Sequence, residues 1–253
     1  MTAGSPSAAP PFTILGVRVD PVTPEEALAR MKAFAGDGGQ HHVVTVNPEF
    51  IMTARRNPEF RQVIAAADLA IPDGIGVIWA CRLYGYPLRE RVTGVESVLA
   101  LARFAAETGR RLFLLGAAPG VAEAAGQALQ AQHPSLEIAG AYAGSPAASE
   151  EEAIVSHIRA ARPDFLFVAY GAPRQDLWIA RNLGRLGVSL AMGVGGTFDF
   201  IAGRARRAPR WMRGAGLEWL HRLAHEPWRW RRMLALPHFA ALVLLARLRS
   251  RRE

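Results

Sequence analysis

Short runs rich in Val, Ile, Leu and Phe alternate along the chain with longer segments in which apolar residues recur every three or four positions. The runs predict strands over Phe12–Val19, His42–Val46, Leu69–Ile71, Arg111–Leu115, Glu137–Tyr142, Phe165–Ala169 and Ser189–Val194. Helical spacing predicts helices near Thr23–Ala35, Pro48–Arg56, Pro58–Ala66, Gly74–Tyr84, Gly94–Thr108, Gly120–Gln132, Ser149–Ala161 and Pro173–Leu186. Ser149, followed by three glutamates, reads as a helix cap with acidic residues in the first turn. Strands and helices in alternation imply an α/β fold, a Rossmann-like, mostly parallel sheet flanked by helices. Near Ile201 the pattern changes to Arg, Trp and Leu, with Pro209, Pro227 and Pro237 expected to cut it into short helical pieces. The expected organisation is a disordered tail over residues 1–11, an α/β core over 12–200 and a basic, Trp-rich helical appendage over 201–253.

Charge sharpens that boundary. The chain of 253 residues carries a formal charge of +8, yet residues 201–253 hold 13 Arg against 3 acidic residues, so the first 200 residues are slightly acidic. A single cysteine, Cys81, excludes an internal disulfide and any multi-cysteine metal site. Met1–Pro11 has neither a basic start nor an apolar run, so it does not read as a signal peptide. The longest apolar run, Met233–Ala246, would reach about 21 Å as a helix at about 1.5 Å per residue, short of the roughly 30 Å of a hydrocarbon core.

Candidate chemistry gathers at the predicted strand ends, where open α/β sheets bind ligands. Polar or Gly-rich turns occur at Thr45-Val46-Asn47-Pro48-Glu49, Pro72-Asp73-Gly74-Ile75-Gly76, Gly116 to Gly120, Gly171 to Asp176 and Gly193 to Asp199. Asp73 directly precedes a predicted helix and reads either as an N-cap or as a general base at the sheet edge. Gly116 to Gly120 is either a cradle for a pyrophosphate or a tight turn. His41 and His42 at the opposite edge, and His157 within a helix, read as structural or solvated. No two aspartates stand two apart, so the Asp-x-Asp pair that many sugar-nucleotide enzymes use to hold a divalent metal is missing. Phosphate, if bound, falls to backbone amides and arginine.

These motifs, together with Arg206-Arg207-Ala208-Pro209, Leu217-Glu218-Trp219-Leu220-His221-Arg222-Leu223 and Glu226-Pro227, resemble the WecG/TagA/CpsF family of bacterial glycosyltransferases in the same order, from about Phe12 to Arg232. Around Gln175 this chain has Arg174 and Asp176, where the family commonly has Lys and Glu. The resemblance implies transfer of a sugar, typically N-acetylmannosamine, from a UDP-sugar to a polyprenyl-diphosphate-linked acceptor at the cytoplasmic face of the membrane. It implies an inverting reaction without metal or other cofactor. By motif position Asp73 is the candidate base. Thr45 and Asn47 would line the donor pocket, Gln175 would hold the sugar or diphosphate, Arg91 would meet phosphate, Asp199 would contact the nucleoside, and Gly116 belongs to the candidate phosphate turn. Arg222, Arg229 and Arg232 either fold over the crevice to reach the diphosphate or serve membrane docking alone.

Four of the six tryptophans, Trp211, Trp219, Trp228 and Trp230, lie among the C-terminal arginines. Tryptophan with arginine favours the bilayer interface, and the apolar strip of Leu236 and Phe239–Leu245 suits an anionic membrane surface better than nucleic acid. The same segment could instead pack on its own core or on a second copy as a homo-oligomer. Kept beside the transferase reading are another hexose donor and a non-catalytic nucleotide- or nucleic-acid-binding protein.

Overall fold

The computed structural model describes residues 10–86, 88, 90–209, 211, 212, 216–225, 227 and 230–249, without the side chains of residues 222, 231 and 232. Nine of the residues assigned to the N-terminal tail therefore lie outside the described residues; Pro10 and Pro11 are exposed and irregular.

The predicted first strand is a hairpin, with β1 (Phe12–Ile14) antiparallel to β2 (Val17–Val19). Leu15 and Gly16 take φ values of 50° and 80° at its turn, a reversal that the continuous apolar run concealed. The remaining strands, β3 (His41–Val46), β4 (Leu69–Pro72), β5 (Arg111–Gly116), β6 (Glu137–Tyr142), β7 (Phe165–Ala169) and β8 (Leu190–Gly193), form one six-stranded sheet. Its order is β4-β3-β8-β7-β5-β6 and every pairing is parallel. All strand C-termini therefore meet one edge, and β4, β3, β8 and β7 stand side by side there.

Alternate strand residues serve two cores, which is why the runs read as continuously apolar. Val43, Leu112, Leu114, Phe165, Phe167 and Met192 face α1 (Pro24–Phe34), α5 (Gly94–Thr108) and α6 (Val121–Gln132). Val44, Val46, Ala70, Phe113, Leu166 and Val168 face the opposite layer. That layer comprises α2 (Pro48–Ala54), α3 (Pro58–Ala66), α4 (Ile75–Tyr84), α7 (Ala148–Ala161) and α8 (Arg174–Leu186).

Local signals set several helix starts. Thr23 and Glu26 form a reciprocal capping box on α1, and Asn47 and Asn57 cap α2 and α3, each followed by proline. Ser149 is a misread signal: α7 starts at Ala148, and the Ser145 hydroxyl instead accepts from the Ala147 N–H at 3.2 Å.

Beyond β8 come α9 (Thr197–Ile201), α10 (Glu218–His225), α11 (Trp230–Met233) and α12 (Ala235–Arg249). Pro237 does not interrupt α12, because it falls in the first turn, where a missing N–H leaves no hydrogen bond unmade. α12 packs on α2 and α4, burying Phe239 and Val243, and the Tyr84 hydroxyl donates to the Val243 carbonyl at 3.3 Å. Part of the apolar strip that suggested an interfacial face is thus committed to the protein's own core. Leu244, Leu245 and Leu248 on the same helix remain exposed.

Candidate active site

The candidate site is built from the turns that leave β3, β4, β7 and β8. Where β3 ends, Thr45 is buried and its hydroxyl donates to the Gly193 carbonyl at 3.4 Å, tying β3 to β8. Asn47 is half-buried, and its Oδ1 accepts from the Phe50 N–H at 3.0 Å as the cap of α2. Its role in the fold is thereby explained, and its amide nitrogen is directed by that cap.

Asp73 follows β4, its N–H donating to the Val46 carbonyl at 2.8 Å. The cap position of α4 belongs to Gly74, which makes no side-chain cap bond, so the helix-cap reading of Asp73 is not what the fold uses. Gly74 takes a φ of 98°, turning the chain so that Asp73 stays at the edge while α4 runs back behind it. Burial pushes the Asp73 pKa up to about 6. Arg91 and a hydrogen bond from the Gly94 N–H draw it down, while Glu218 and Glu96 raise it further. An acid of that strength is mostly ionised at neutral pH yet basic enough to accept a proton from a hydroxyl in the transition state.

Gln175 opens α8 and is almost wholly buried. Its Oε1 accepts from the Gly171 N–H at 3.1 Å and the Gly195 N–H at 3.0 Å, so the orientation of the amide is fixed by two backbone donors on neighbouring turns. A methyl group on Gly193 would collide with the Gln175 amide and the Asp176 carboxylate, which explains a glycine at the end of β8. Asp176, fully buried, lies 3.5 Å from His42 Nε2 of β3.

Gly116 has a φ of 101°, and a Cβ there would stand 2.8 Å from the Ala169 carbonyl carbon, so close contact between β5 and β7 demands it. Asp199 lies half-buried in α9, which packs on α6, and Arg204 Nη2 reaches the Gly120 carbonyl at 3.5 Å. Both therefore sit towards the β5 side of the edge.

Arg91 Nη1 pairs with Glu218 Oε2 of α10 at 2.9 Å. Glu218 also faces Arg207 Nε at 3.7 Å, and Arg207 Nη2 pairs with Glu96 Oε1 at 2.9 Å. The Thr93 hydroxyl caps α5 and donates to Glu96 Oε2 at 2.9 Å. Sequence reasoning gave Glu218, Arg207 and Glu96 no role, although Thr93-Gly94-Val95-Glu96 carries a capping spacing. Arg229 lies outside the described residues, as do the side chains of Arg222 and Arg232.

At the opposite edge, His41 pairs with Asp37 at 3.0 Å and Asp68 at 3.2 Å and stacks on Phe34. His157 packs between Phe113 and Tyr142.

The sequence profile described as Glycosyl transferase WecG/TagA/CpsF family matches residues 12–253. The chain belongs to this family. Among its relatives, an N-acetylglucosaminyldiphosphoundecaprenol N-acetyl-beta-D-mannosaminyltransferase of Bacillus spizizenii is 36% identical over 202 residues, 80% of this chain and 78% of that protein. A protein of the same description from Staphylococcus aureus is 31% identical over 241 residues, 94% of each chain. The chain is thus a glycosyltransferase, and within this family the crevice at the strand ends is its candidate active site.

Proposed function

We propose that the chain transfers N-acetylmannosamine from its UDP derivative to an N-acetylglucosaminyl-diphosphate carried on a polyprenyl lipid, with inversion at the anomeric carbon and without a metal ion. The observation that carries this reading is the Asp73 carboxylate, held at the sheet edge beside Arg91 with its pKa pushed up to about 6. The names of the similar mannosaminyltransferases supply the sugar and the acceptor.

In this mechanism the acceptor hydroxyl oxygen attacks the anomeric carbon as the bond to the β-phosphate oxygen breaks. The hydroxyl proton passes to Asp73, and UDP leaves with the bonding pair. Arg91 and backbone amides of the strand-end turns stabilise the charge that grows on the diphosphate. Gln175, clamped through its oxygen, has its amide nitrogen to offer the donor. Thr45 and Asn47 bound the pocket on the β3 side, and Asp199 approaches the nucleoside from the β5 side.

A lipid-linked acceptor requires the crevice to reach a bilayer, and the proposed location is the cytoplasmic face of the membrane. No helix among the described residues is long and apolar enough to cross one. Support for peripheral docking comes from exposed Trp211, Trp219, Trp230, Leu244, Leu245 and Leu248, with Arg247 and Arg249 beside them.

The direct test is UDP release from UDP-N-acetylmannosamine with an N-acetylglucosaminyl-diphosphoryl lipid as acceptor. Release that depends on the acceptor is expected. Release from UDP-glucose alone would move the reading to another hexose, and no release with retention on single-stranded nucleic acid at physiological salt would end it.

A further inference from the structure

Glu218 joins two arginines, and both it and Arg91 act electrostatically on the candidate base. Its carboxylate spans Arg91 Nη1 at 2.9 Å and Arg207 Nε at 3.7 Å, and Arg207 continues the chain of alternating charge to Glu96 and Thr93 at the start of α5. Three separate pieces of the chain are tied together: the segment before α5, the stretch between α9 and α10, and α10 itself. The Arg91 and Glu218 side chains are only 20% and 27% exposed, so water screens their attraction weakly. Gly216, just before α10, packs on Ile75 of α4, two residues after Asp73. The start of α10 is therefore held to the Asp73 side of the crevice by an ion pair and by a close apolar contact.

We propose that Glu218 is a positioning residue for the transfer reaction: by sharing the Arg91 charge with Asp73 and gripping Arg207, it aims the Arg91 guanidinium and locks α10 to the edge that carries the base. The inference rests on the reading of Asp73 as base and Arg91 as a diphosphate contact. Arg91 already draws the Asp73 pKa down, and without the Glu218 charge that pull is less opposed, which would weaken the base and turn the guanidinium away from the leaving group. The charged groups acting on Asp73 are Arg91 from the loop before α5, Glu96 from α5 and Glu218 from α10, with the Gly94 N–H as a neutral donor. Removing the Glu218 charge takes away one of the influences that raise the Asp73 pKa, so the base should become a stronger acid.

The test compares Glu218→Gln, Glu218→Asp, Arg207→Gln and Asp73→Asn in the full chain. UDP release is followed from UDP-N-acetylmannosamine with an N-acetylglucosaminyl-diphosphoryl lipid in detergent, across the pH range. Glu218→Gln should lower kcat tenfold or more and move the acid limb of the kcat profile to lower pH. Glu218→Asp keeps the charge but shortens the reach, so its kcat should fall while its acid limb stays near that of the wild type. Arg207→Gln leaves the Arg91–Glu218 pair intact and should lose less activity, which keeps the test informative if Glu218→Gln folds poorly. A Glu218→Gln enzyme with normal kcat and an unmoved acid limb, alongside an inactive Asp73→Asn, overturns this inference alone. Slow turnover with an unmoved limb marks a structural prop and also overturns it. Turnover retained by Asp73→Asn overturns the base assignment and this inference with it.

Discussion

Burial of the Asp73 carboxyl pushes its pKa up from 3.8 to about 6, so ionising it in the folded protein costs free energy that the unfolded chain does not incur. The raised value means that the stabilising, protonated state is fully present below the unfolded pKa and is lost as the pH climbs through about 6. At neutral pH, Asp73→Asn should therefore leave the fold as stable as before or stabilise it, by up to about 1–2 kcal/mol, visible as an unchanged or higher Tm. The same substitution should cut kcat by a factor of about 10² to 10⁴ with UDP affinity preserved, because a general base acts on the transition state. In the wild type, kcat should decline below about pH 6 as Asp73 takes up a proton. Gly193→Ala tests the neighbouring turn. Its methyl group must displace the Gln175 amide or the Asp176 carboxylate, and overpacking of this kind costs about 1–3 kcal/mol. Turnover should drop together with the urea midpoint, and an unaffected enzyme would mean that Gln175 is not held as its two backbone bonds indicate.

Single elements carry two further expectations. β3 begins at His41, whose imidazole is flanked by Asp37 and Asp68. Burial alone lowers its pKa, but the hydrogen bonds and charges of the two aspartates outweigh that and raise it above 6.5. The contribution of His41 to stability is thus complete below about pH 6.5 and disappears as the pH rises through the folded value. A urea-unfolding series in which the wild type loses its advantage over His41→Gln with rising pH would match; a pH-independent difference would not. α12 has two apolar faces with different duties. Phe239→Ala empties a buried site and should destabilise the protein by about 3–5 kcal/mol. Replacing exposed Leu244, Leu245 and Leu248 together by Ser should leave the Tm nearly unchanged yet reduce co-sedimentation with anionic vesicles. Equal sedimentation by the triple variant would place membrane attachment elsewhere. Removal of the whole segment from about Arg204 is a poorer experiment, because it strips Phe239 and Val243 from the core along with any docking surface.

At the scale of the whole molecule, the expected reaction relies on arginine and backbone dipoles for the leaving diphosphate, so excess EDTA should leave UDP release unchanged. Loss on chelation, restored by magnesium or manganese, would contradict this. The sequence by itself determined that the chain is α/β, and it located six of the eight strands among the described residues and the edge on which Asp73, Asn47 and Gln175 stand. Those properties are local, since strand runs, helical spacing and turn residues are each written within a few neighbouring positions. The turn at Leu15–Gly16 is hidden in the sequence because both flanking runs are apolar, and Ser149 makes no cap because capping depends on backbone dihedrals that a serine alone does not set. The tertiary structure decided what sequence spacing has no means to express. Arg91 meets a carboxylate 127 residues away, Gly193 is a glycine because two side chains of α8 fill the space beside it, and one face of α12 is covered while another is bare. Pairing across such distances follows from how the layers stack, and burial of an apolar helix is settled by which neighbours reach it rather than by its own composition.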